Sequence, residues 1–107
     1  MIVRVDIDRT LCTFDIEDGR KKATPNRKVI AKVNELYQDG AEIIIWTSRN
    51  NISRTDQTEF TRKQLKEWGV KYHKLEMDKP LFDLFVDDRA VNVKHWMDEV
   101  PMGEADE

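Results

Sequence analysis

This chain of 107 residues predicts an α/β fold built on one mostly parallel sheet. Short apolar runs rich in β-branched residues, at residues 2–7 and 41–47, alternate with segments of helical period. Helices between strands are the usual crossovers of a parallel sheet. Acidic and hydroxyl residues gather just after the apolar runs, where open parallel sheets place their ligands.

Residues 2–7 read as a buried strand. Residues 12–23 read as a projecting hairpin, because Asp18-Gly19 is a strong turn signal. Thr24-Pro25 is a helix start, with Thr24 as N-cap and Pro25 at the first helical position. Val29, Ile30, Val33, Leu36 and Tyr37 then recur at helical spacing, and Gly40 closes the helix. Residues 41–47 have the character of a fully buried parallel strand. Residues 48–53 form a polar loop, and residues 54–68 a more polar helix carrying Phe60, Leu65 and Trp68, with Gly69 after it. Residues 70–75 predict a weaker strand. Residues 81–86 predict a stronger one, ending in Asp87-Asp88-Arg89, and residues 90–97 a last short helix.

Length fits one domain, over residues 1–97, with an acidic, frayed tail at 98–107. That tail holds five acids and no base, leaving 18 bases against 16 acids in the rest of the chain. No basic stripe announces nucleic acid. The lone Cys12 excludes an internal disulfide and reads as a packed small residue. With no signal-peptide pattern and no membrane-length apolar run, the cytoplasm is the expected location. His73 and His95 lack metal-ligand spacing and read as non-catalytic. Trp46, Trp68 and Trp96 read as packed inward.

Four polar clusters fall in comparable places. Asp6 and Asp8 follow the first strand, and Thr47 and Ser48 the second. Lys79 precedes the strand at 81–86, and Asp87 and Asp88 follow it. Carboxylates crowded at one sheet edge repel one another, so the pattern calls for Mg²⁺, which takes one or two carboxylates, water and substrate phosphate. Asp6 and Asp87 are the natural carboxylate ligands, and the Asp8 backbone carbonyl is a further one. Thr47 suits a phosphoryl oxygen as hydrogen-bond donor, and Lys79 neutralises another. Asp6 is then placed to attack phosphorus and Asp8 to move the proton.

These residues resemble the haloacid dehalogenase-like phosphatases. Val5-Asp6-Ile7-Asp8-Arg9-Thr10-Leu11 is similar to that family's first motif, and Ile45-Trp46-Thr47-Ser48-Arg49-Asn50 to its second. Lys79-Pro80 resembles the third motif and Phe85-Val86-Asp87-Asp88-Arg89-Ala90 the fourth, so the likeness covers residues 1–96. The chain also resembles small phosphatase-like proteins described with capsule or polysaccharide biosynthesis. The resemblance implies a Rossmann-like three-layer sandwich, Mg²⁺ dependence and an aspartyl-phosphate intermediate. It makes Asp6 the nucleophile and Asp8 the acid/base. Thr47 and Lys79 become phosphate ligands, with Ser48, Arg9 and Arg49 as further candidates, and Asp87 binds metal. Asp88 and Thr10 stand behind them. The family usually has Gly where this chain has Arg9. Neither interval between motifs has room for a folded cap, so the site is expected to be open unless a second subunit covers it.

The activity expected is hydrolysis of a phosphomonoester, with a sugar phosphate or other small phosphorylated metabolite as substrate. No membrane partner is expected. The alternatives are a non-catalytic phosphate- or metal-binding module, a receiver-like signalling module and a nucleic-acid end phosphatase. A receiver has adjacent acids after its first strand and its phospho-acceptor on a later one. The Asp6-x-Asp8 spacing and the lack of an Asp at the end of the second strand weigh against it. The missing basic groove weighs against a nucleic-acid substrate.

Overall fold

The computed structural model describes residues 1–98. β1 (Ile2–Val5) leads into an antiparallel hairpin of β2 (Cys12–Glu17) and β3 (Arg20–Pro25). α1 (Arg27–Gln38) returns the chain to β4 (Glu42–Trp46), which pairs in parallel with β1. α2 (Arg49–Ser53) and α3 (Thr58–Glu67) precede β5 (Lys74–Glu76), parallel to β4 on its other side. α4 (Val93–Met97) is the last described element. The architecture is therefore α/β, with a parallel sheet of order β1-β4-β5 and a separate small hairpin. Among the described residues no cap domain interrupts it.

Local chemistry accounts for most of these elements. Asp18 and Gly19 both take positive φ, 52° and 74°, as a two-residue turn matched to strand twist requires. The periodic face of α1 buries Val29, Ile30 and Val33. These meet Val5, Ile7, Ile43, Ile45, Leu65 and Trp68 in one core. Each fully buried aliphatic side chain there contributes about 1.5–3 kcal/mol relative to exposure. Cys12 is fully buried in the same core. His73 serves the sheet edge: its Nδ1 accepts from Ile43 N at 3.0 Å and its ring stacks on Tyr37.

Three expectations are corrected. Thr24 does not cap α1. It pairs with Thr13 in the hairpin ladder, which runs through Pro25, and Asn26 caps instead, its Oδ1 accepting from Val29 N at 3.3 Å. Residues 49–53 are a short helix rather than a loop, closed where Arg54 enters the left-handed region at φ 60°. Residues 81–86 form no strand. Leu84 is 78% exposed and Val86 86%. Only residues 77–80 separate β5 from this segment, while a parallel neighbour needs a connection of about a dozen residues. The acidic tail beyond residue 98 lies outside the described residues.

Candidate active site

The carboxyl ends of β1 and β4 carry the site. The chain turns sharply after Asp6, where the amides of Thr10, Leu11 and Cys12 all donate to Ile7 O. Arg9 sits in this turn with φ 64°. A left-handed backbone costs a non-glycine residue roughly 1–2 kcal/mol, so the turn that presents the acids is strained. The side chain of Arg9 is exposed, and Thr10 is half-buried.

Asp6 Oδ1 lies 3.6 Å from Lys79 Nζ. Burial pushes the Asp6 carboxyl up from its ordinary value, and the Lys79 ammonium pulls it back only in part. Lys79 is held through its backbone, its N donating to Thr47 O at 3.2 Å and its O accepting from Asn51 Nδ2 at 2.8 Å. Its ammonium also lies over the Trp46 and Phe82 rings. Ser48 Oγ donates to Pro80 O at 3.5 Å, holding the same loop.

Asp8 is clamped. Arg49 Nε donates to its Oδ2 at 3.1 Å and Nη2 to its Oδ1 at 2.9 Å, a bidentate pair. Arg49 Nη1 donates to Thr61 Oγ1, and Arg49 N to Thr47 Oγ1, both at 3.2 Å. Thr47 itself is 1% exposed. The Arg49 guanidinium therefore spends three donors on its own chain before any phosphate arrives.

Asp6, Asp8, Thr47 and Lys79 are thus brought together, with Ser48 and Arg49 beside them. Asp87 and Asp88 are not. Both are exposed; Asp87 Oδ1 accepts from Arg89 N at 2.6 Å, and Asp88 faces the Arg89 guanidinium at 3.9 Å. Among the described residues no three metal-ligating side chains gather, so one chain by itself does not assemble the set Asp6, Asp8 and Asp87. Sequence reasoning missed Asn51, and it missed Arg49 as the partner of Asp8. The two residues are 41 apart in the chain, and no local pattern announces such a pair.

A cleft of about 350 Å³ opens beside Asp8 between the hairpin and α2–α3. Phe14, Lys21, Ile52, Phe60 and Gln64 line it, and Gln64 Oε1 is buried without a hydrogen-bond partner among the described residues. A larger hollow of about 730 Å³ follows the outside of the hairpin and is lined by none of the four site residues. The smaller one is the relevant one, because Asp8 forms part of its wall.

Fold and site together define a cap-less α/β protein with an acid pair and a lysine at the carboxyl edge of its parallel sheet. No protein-family model matches the chain, and no curated protein matches it. A crystal structure of a structural-genomics target from Vibrio cholerae has a similar fold, with a TM-score of 0.78 over 96% of this chain and 91% of that one. Identity between the two is 24%, and the likeness concerns the fold alone. No helix among the described residues is long and apolar enough to cross a membrane.

Proposed function

We propose that this chain is a Mg²⁺-dependent phosphomonoester hydrolase of the haloacid dehalogenase-like kind, acting without a cap. The observation that carries the reading is Asp6 set 3.6 Å from the Lys79 ammonium, with Asp8 clamped by Arg49 on the same edge. A carboxylate that burial disfavours, with one cation near it, is suited to a second cation. The Asp6 carboxylate and the Asp8 carbonyl are the donors this chain offers to Mg²⁺, which is content with few protein ligands. When bound, the ion would offset phosphate charge facing the Asp6 carboxylate.

The chain's own residues account for the chemistry. Asp6 attacks phosphorus, the bond from phosphorus to the leaving oxygen breaks, and Asp8 supplies that oxygen's proton. Water then gives a proton to Asp8 and attacks the same phosphorus, breaking the bond to Asp6 and releasing phosphate. Both Asp8 oxygens accept from Arg49 in the structure, which is the acceptor state the second step needs. Carrying a proton in the first step requires one of those two bonds to be given up. Thr47 N and O are both engaged, to Glu76 O and by Lys79 N, so its hydroxyl is the group that would turn to phosphate. The cleft beside Asp8 suits a small hydroxyl-bearing leaving group, such as a sugar, with Gln64 Oε1 as acceptor.

The test is hydrolysis of an aryl phosphate and a panel of phosphorylated metabolites, with and without Mg²⁺, using Asp6→Asn as the blank. Turnover that needs both Asp6 and Mg²⁺ supports the reading. The separation of Asp87 from Asp6 favours a second reading, a non-catalytic phosphate- or metal-binding module. Mg²⁺ binding by calorimetry, with no turnover above the Asp6→Asn blank, would select it.

A further inference from the structure

We propose that residues 81–86 are a strand exchanged between two copies of this chain. Each copy's segment would pair in parallel with the open edge of the other's β1 and carry Asp87 to the other's Asp6. The role given to Asp87, and with it the direction and register of the pairing, rest on the hydrolase reading above; the cross-linking test below reads the exchange without turnover.

Two unsatisfied halves point to one another. β1 pairs only with β4, so its outer edge presents unpaired backbone groups among the described residues, and Ile2 on it is 66% exposed. Such an edge is a template for another strand. Residues 81–86 are a β-forming apolar segment with Leu81, Phe82, Leu84, Phe85 and Val86 all exposed. No hydrogen bond among the described residues ties their backbone to the rest of the fold.

A chain's own segment does not complete its own site. Lys79 is pinned at the carboxyl end of β4 by Thr47 and Asp6. A six-residue strand parallel to β1 would have to begin roughly 15–20 Å back along the sheet. Pro80 alone lies between, and two residue steps span about 7 Å. Running the other way, antiparallel to its own β1, the segment would leave Asp87 at the end opposite Asp6. A second copy meets both conditions. α4 keeps its place on its own α1, where Lys32 Nζ donates to Trp96 O at 2.8 Å.

Alternation gives an independent check. The register that sets Asp87 level with Asp6 sets Val86 beside Val5 and Leu84 beside Val3. Partners in a parallel pair share a face, and Val5 is buried while Val3 is half-buried against the core. The apolar side of the segment thus extends the core.

Two experiments decide it. Arg4→Cys combined with Phe85→Cys in one chain should give a covalent dimer on a non-reducing gel after mild oxidation. These neighbours fall within disulfide reach. A product of single-chain mass, or no new disulfide, overturns the exchange, and neither result depends on turnover. The second experiment refolds Asp6→Asn and Asp87→Asn together. Each alone should be inactive, whereas half of the random dimers carry one intact site, restoring roughly a quarter of wild-type turnover. With wild type active, recovery no higher than either variant alone overturns the exchange. A covalent dimer from wild-type-like protein that hydrolyses nothing sinks the hydrolase reading and leaves the exchange standing.

Discussion

Residues 2–8 and residues 81–88 are the same kind of segment: an apolar run that ends in two acids. Their fates differ. In the first, Val5 and Ile7 are buried, and Asp6 and Asp8 meet Lys79 and Arg49. In the second, every residue is exposed and the acids meet only their neighbour Arg89. Composition does not separate the two. The connections do. β1 is followed by a hairpin and a twelve-residue helix before its parallel partner, whereas four residues precede Leu81. Strand propensity is local, but a parallel pairing within one chain also needs chain enough to come back.

The largest expected effects test whether the acids of the two regions share one task. Asp6→Asn should reduce phosphomonoester turnover by about 10³-fold or more, the scale of losing a nucleophile. Asp87→Asn should approach that loss if the exchanged strand completes the site, and should leave turnover within a few-fold if it does not. Steady-state kinetics of the two variants, side by side, measure the difference. Core burial gives a second contrast. Leu65 is fully buried and Leu84 mostly exposed. Leu65→Ala should cost about 3 kcal/mol in urea unfolding. Leu84→Ala should shift a single chain by no more than about 0.5 kcal/mol, and should weaken the dimer if residues 81–86 are paired.

Much of the first region was legible from residues alone. Asp18-Gly19 marks the hairpin, the Val29-Val33-Leu36 spacing marks α1, and the polar residues after two apolar runs mark the edge where Asp6, Asp8 and Thr47 converge, whereas Lys79 was placed by a strand at 81–86 that does not form. The cap at Asn26 was not legible, because the ladder from Cys12 to Pro25 overrides the Thr24-Pro25 start signal. Nor was the bond from Arg49 to Asp8, a contact made by the fold. The strand at 81–86 was read from a pattern that describes propensity and says nothing about partners.

Arg49 ties Asp8 to Thr61 of α3, and its removal should be felt next. Arg49→Ala leaves the half-buried Asp8 carboxylate without its bidentate partner and the fully buried Thr61 hydroxyl without its donor. Thermal unfolding should show a loss of about 2 kcal/mol, and Arg49→Lys should recover little of it because a lysine cannot form the fork. Asp6→Asn should act in the opposite direction on stability. Burial raises the Asp6 carboxyl from its ordinary value, so its protonated form is the one the metal-free fold prefers. Stability from that preference is full below the ordinary carboxylate value and lost as pH rises through the raised one. The metal-free Asn variant escapes that loss. Its advantage over wild type in Tm should therefore be small in acid, grow across that window, and stay level toward neutral pH.

The smallest effect tests the turn that separates the two regions' histories. Arg9 holds φ 64° in the turn after Asp8, at a cost of roughly 1–2 kcal/mol. Arg9→Gly removes that strain but adds freedom to the unfolded chain, an offset of about 0.5–1 kcal/mol. The net gain should be about 0.5 kcal/mol in urea unfolding. Arg54, at φ 60° in the cap of α2, has the same backbone state away from Asp6, so Arg54→Gly should gain a similar amount. Turnover separates them. If Arg9 contributes a cation to substrate binding, Arg9→Gly raises KM while Arg54→Gly leaves it unchanged. If Arg9 is only a strained spacer, both variants keep the wild-type KM, and the turn that aims the acid pair owes nothing to the charge it carries.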